Sequence, residues 1–204
     1  METPSTSHQG PIQEENLEQQ LIQTITTILN ATKPSLSALA PYAAHLSPSL
    51  ISSIFASKAL SSHPSVLLNV FKWAQKHVPS FSSPPNNSLS SLLTLLPSLF
   101  RHYMFSDAKS LLISFISSDR QHELHKLILH PTRDLPEPSK ELLDTSIGAY
   151  VQMDQPHLAT QIFNKMKRLN YRPNLLTCNT LMNSLVSLSF MDKRVYTSSD
   201  CCLA

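Results

Sequence analysis

Asp144-Thr145-Ser146-Ile147-Gly148-Ala149-Tyr150-Val151 returns thirty-five residues later as Asn179-Thr180-Leu181-Met182-Asn183-Ser184-Leu185-Val186, each position pairing with a residue of similar kind. Between the two copies Ala159, Ile162, Phe163 and Met166 fall at i, i+3, i+4 and i+7, which places them on one face of a helix that has to pack on neighbours. A period of about 20–50 residues marks stacked units, none of which buries its apolar face alone. The recurrence therefore predicts a solenoid, and solenoids offer extended surfaces to long partners.

Composition narrows the elements to helices. The only glycines are Gly10 and Gly148, too few for phosphate-cradling loops or primed hairpin turns. The fifteen prolines fall largely between apolar runs, where proline ends a helix rather than interrupting it. The expected fold class is all-α, an α-solenoid of antiparallel helix pairs.

Along the chain, residues 1–12 read as a disordered leader and 13–130 as a helical region with degenerate repeats. Leu17, Leu21, Ile22, Ile25, Ile28 and Leu29 give the first amphipathic helix, and Val66, Leu67, Val70, Phe71 and Ala74 a later stripe. Pro79 to Asn87 reads as a loop or short linker. Residues 140–174 form one complete repeat and 175–190 the first helix of another. In the complete repeat Asp154 is the expected N-cap of the second helix, and Pro156 sits in its first turn. Asn170 occupies the left-handed C-cap position, and Pro173 prevents continuation. Residues 191–204 lack a second-helix stripe and form a divergent tail, so a shortened gene product is expected.

Charge and reactive residues point away from catalysis. The net charge is +2, with twelve of the sixteen Lys/Arg after residue 100. Lys165, Lys167, Arg168 and Arg172 form the densest basic cluster, suited either to phosphate or to a solvated helix end. Cys178, Cys201 and Cys202 do not make a disulfide framework. His122, His125 and His130 lack the ligands that would complete a metal site. No nucleophile motif stands out, so neither enzymatic activity nor any cofactor is expected. No apolar run is long enough to span a bilayer. The acidic, arginine-free N-terminal stretch resembles neither a secretory signal nor a transit peptide.

The run Met166 to Met182, with Asn170, Pro173 and Thr177-Cys178-Asn179-Thr180-Leu181, resembles the pentatricopeptide repeat family, in the form found in plant P-type members. Phe71-Lys72-Trp73-Ala74 resembles the helix often seen ahead of such arrays. The resemblance is clear over about 140–188 and weaker over about 50–117. It implies an α-solenoid that binds single-stranded RNA, one base per repeat, in mitochondria or chloroplasts. There it would serve RNA processing, stabilisation or translation. In that family the fifth residue of the first helix and the last residue of the motif read the base. Here these are Asp144 and Asn174, with Asn179 at the fifth position of the next repeat. Lys165, Lys167, Arg168 and Arg172 become the phosphate candidates. With one complete repeat, weak RNA affinity is expected of the chain alone.

Structural alternatives stand beside these roles. Asp144 and Asn174 are ordinary capping residues, whereas Asn179 inside a helix is harder to assign to structure alone. A protein-binding adaptor similar to tetratricopeptide arrays, using the open end of the solenoid, is the rival function. A truncated product without function is a third.

Overall fold

The computed structural model describes residues 11–31, 35–82, 86–132 and 137–199. The expected leader lies outside them apart from Pro11 and Ile12, which open the first helix, and Cys201 and Cys202 lie outside them too. Every regular element among the described residues is helical. The chain divides into two compact units, Met1–Ser98 and Leu99–Ala204.

In the first unit α1 (Pro11–Leu29) buries Ile25 and Leu29, the heart of its apolar stripe, and leaves Leu17 exposed. A 3-10 helix (Leu36–His45) follows, with Pro41 inside it. α2 (Pro48–Ala56) starts at a Ser47 cap, whose hydroxyl accepts the Leu50 N–H at 3.1 Å. α3 (Pro64–His77) buries Leu67, Leu68, Val70, Phe71, Trp73 and Ala74. The stretch read as a linker opens instead with a short helix, α4 (Pro79–Ser82). Its cause is Phe81, which is fully buried and meets the Phe71 ring edge-on at 5.4 Å, a favourable aromatic geometry. α5 (Asn86–Arg101) carries a leucine stripe and holds Pro97 in its interior.

The second unit is built from α6 (Phe105–Ser118), α7 (Glu123–Leu129), α8 (Lys140–Gln152), α9 (Pro156–Arg168) and α10 (Leu175–Ser199). α8 and α9 form the tightest helix pair. α6 and α10 flank α8, while α7 packs on α9. The result is one layer of α6, α8 and α10 backed by α7 and α9. Its core is Leu112, Phe115, Leu143, Ile147, Tyr150, Ala159, Ile162 and Met166, and Phe163 of the predicted stripe is only half-buried. α10 continues through 191–199, a stretch that the apolar pattern groups with the tail.

Helix ends set the spacing of these layers. α9 ends as expected: Asn170 is left-handed (φ 56°), Tyr171 N–H donates to Met166 C=O at 3.1 Å, and Asn170 N–H donates to Lys167 C=O at 3.0 Å. This is a Schellman motif. Asp154 does the same for α8 rather than capping α9. It is left-handed (φ 54°), and Gln155 N–H donates to Tyr150 C=O at 2.9 Å. The N-cap of α9 is Gln155, which makes no side-chain cap bond. The tight return after α8 takes Asp154 out of reach of the next helix.

Candidate nucleic-acid interface

The N-terminal turns of α6, α8 and α10 converge on a groove of about 440 Å³, lined by Phe105, Lys109, Lys140, Asp144, Asn174 and Thr180 among others. Three helix N-termini bring partial positive charge to it, and its lining carries charges of both signs, Lys109 and Lys140 with Glu141 and Asp144. Lys109 runs past Gly148, where an added Cβ would lie 3.6 Å from Lys109 Cε. Phe105 keeps 42% of its surface exposed at the rim, stacked on Phe100 at 5.9 Å.

Asp144 and Asn174 meet at this groove although thirty residues separate them. Asp144 is only 8% exposed. Its Oδ1 accepts the Asn174 backbone N–H at 3.2 Å, and its Oδ2 accepts from Lys140 Nζ at 2.8 Å. Asn174 in turn caps α10: its Oδ1 accepts the Thr177 N–H at 2.7 Å, and its carbonyl accepts the Cys178 N–H at 3.1 Å. Ser139 caps α8 in the same manner, accepting the Leu142 N–H at 3.2 Å. The two first helices thus start alike, one repeat apart.

Residues 143–187 match the model of the PPR repeat family. Over 172 residues, 83% of its length, the chain is 43% identical to a pentatricopeptide repeat-containing protein of Arabidopsis thaliana. The chain belongs to the pentatricopeptide repeat family. It spans about a quarter of that relative's length, 23%. No solved structure matches it.

Asp144 and Asn174, two of the base-reading candidates, are brought into direct contact. Asn179, the third, is exposed on α10, and its side chain makes no hydrogen bond to a described residue. The basic candidates sort differently. Lys165 pairs with Glu137 at 3.1 Å and is 14% exposed. It lines, with Arg168, His130 and Gln161, a separate pocket between α7 and α9 that shares no residue with the groove. Lys167 is exposed, and so is Arg172, which lies in the α9–α10 connection two residues before Asn174.

Sequence reasoning missed Lys109, Lys140 and Phe105. Lys140 carried a signal, its i,i+4 spacing to Asp144. So did Gly148, a rare glycine one turn beyond Asp144. Lys109 and Phe105 come from a different helix, and no local pattern ties them to the groove. Of the three histidines only His125 is buried, its ring edge-on to Tyr150 at 5.6 Å, with Nε2 3.3 Å from the Leu158 carbonyl oxygen, while His122 is half-buried and His130 exposed. Among the described residues no cluster of potential ligands could hold a metal ion, and no helix is long and apolar enough to cross a membrane.

Proposed function

We propose that the α6–α8–α10 face binds single-stranded RNA, as part of a protein that processes, stabilises or promotes translation of transcripts in mitochondria or chloroplasts. The observation that carries this reading is the meeting of Asp144 and Asn174 at a groove where three helix N-termini converge, in a chain of the pentatricopeptide repeat family. Asp144, Asn174 and Asn179 are the base-reading candidates, of which Asn174 and Asn179 are exposed and Asp144 is buried. Phe105 offers a ring for stacking, and base–aromatic stacking favours unpaired strands. Lys109, which lines the groove and has no carboxylate partner among the described residues, and the exposed Arg172 are the first cations for phosphate. Lys165, Lys167 and Arg168 are then secondary contacts.

Fluorescence anisotropy with single-stranded and duplex RNA of equal length tests this. Single strands should bind in preference, weakly and with salt-dependent affinity. Lys109→Glu should weaken every sequence alike and reduce the salt slope by about one or more, because a phosphate contact carries no base information. Equal binding of duplex and single strand would sink the proposal. Import of the full-length gene product into either organelle checks the cellular part. The exposed Leu175, Leu176, Met182 and Val186 on α10 favour a second reading, protein docking, for which RNA-independent self-association in sedimentation would be the sign.

A further inference from the structure

We infer that the repeat spanning 140–174 does not discriminate among bases: Asp144 is a positioning residue that sets α10, and base selection begins at Asn179. The inference rests on the RNA-binding reading above. A carboxylate is acceptor-only and could select only a base's amino or ring N–H hydrogens. Both oxygens of Asp144 are already engaged, Oδ1 by the Asn174 N–H and Oδ2 by Lys140. The side chain is also 8% exposed, so turning it to a base would take the acceptor from the part-buried Asn174 N–H, while Lys140, 40% exposed, would return to water. Buried polar groups left without partners are costly.

Asn174 is limited in the same way. Its Oδ1 holds the Thr177 N–H, and α10 needs that bond to start. Oδ1 keeps a second lone pair, but its bond to the Thr177 N–H fixes the direction of the amide, so the group cannot turn to match a base without giving up the cap. Asn179 differs: exposed, it presents an oxygen and an amide side by side with neither bonded to a described residue, a donor–acceptor pair able to tell one base edge from another.

Asp144 bears on that pair through a short relay. It holds the Asn174 N–H, Asn174 holds the Thr177 N–H, and Asn179 lies two residues further along the same helix. Losing the carboxylate frees the first turn of α10 to reorient.

The test is selection from a random single-stranded RNA pool by the full chain and by Asp144→Ala, Asp144→Asn and Asn179→Ala, with sequencing of the bound fraction. The unaltered chain should favour one base at one position by about tenfold, the discrimination of a good paired contact. Asn179→Ala should flatten it. Asp144→Ala should flatten it as well while still binding RNA, and Asp144→Asn, which keeps an acceptor for the Asn174 N–H, should restore the same base. A change in the favoured base with Asp144→Asn would make Asp144 a reader and overturn the inference. Full preference in Asp144→Ala would overturn it too. Amide exchange at Asn174 separates this from the wider reading: without RNA, Asp144→Ala should speed it about tenfold, the loss of one hydrogen bond, and an unchanged rate removes the relay. No enrichment by the unaltered chain, with that relay intact, would instead overturn RNA binding and the base-selection claim with it.

Discussion

Tyr150→Phe should make the second unit more stable, against the usual direction of core mutations. The ring is fully buried between α8 and its neighbours, and its hydroxyl has no hydrogen-bond partner among the described residues. An unpaired buried hydroxyl forgoes its water without compensation, at about 1–3 kcal/mol. Phenylalanine keeps the ring and its edge-on contact with His125 at 5.6 Å and removes only the stranded oxygen. A small void replaces it, so a net gain of about 1 kcal/mol is expected. For a unit the size of Leu99–Ala204 that raises Tm by about 4–8 °C, readable by circular dichroism at 222 nm with urea titrations alongside. Burial, with the Asp119 carboxylate adding to it, pushes the Tyr150 phenol well above its usual range. A raised folded pKa means that the protonated phenol's stabilisation is complete below about pH 10, where the unfolded tyrosine begins to ionise, and is lost as pH rises further. The variant should lack that alkaline loss. A lower Tm in Tyr150→Phe would refute the reasoning, because it would mean that the hydroxyl is bonded, for instance to a buried water.

Gly148→Ala should stabilise α8 by about 1 kcal/mol, since glycine in a helix interior carries an entropic penalty. The new Cβ would meet Lys109 Cε and Nζ at 3.6 and 3.7 Å, ordinary contact distances, so a loss of Tm would show that the groove needs the space. His125 has its pKa lowered by burial, with the charges of His122, His157 and His130 acting the same way and the bond to Leu158 opposing. The neutral ring's contribution is therefore present above about pH 6.5 and lost as pH falls below it, until the folded ring protonates too. His125→Gln should flatten the stability change between pH 7 and 5 in urea titrations, and an unaltered slope would place the acid sensitivity elsewhere.

How far the sequence carried depends on the range of each signal. The 35-residue recurrence captured α8, α9 and the start of α10 because apolar spacing and caps act within one or two turns. Asn170 was legible for that reason. Asp154 was not, since aspartate suits the start of one helix and the tight end of another alike, and the Gln155-to-Tyr150 bond decides between them. Phe81 was misplaced because serine and proline around it imitate a loop, while the Phe71 ring that holds it belongs to another helix.

The groove divides along the same line. That Asp144 and Asn174 meet across thirty residues is what the fold delivers, and no local pattern announced it. Which way the Asp144 carboxylate turns is a contest among groups from different places. Lys140 competes from one turn away and the Asn174 N–H from the next repeat, whereas a base would have to displace both. The same residue type at the same position would face outward if either partner were absent. Sequence register thus places Asp144, but which way its carboxylate turns is fixed by what else the fold brings to those two oxygens.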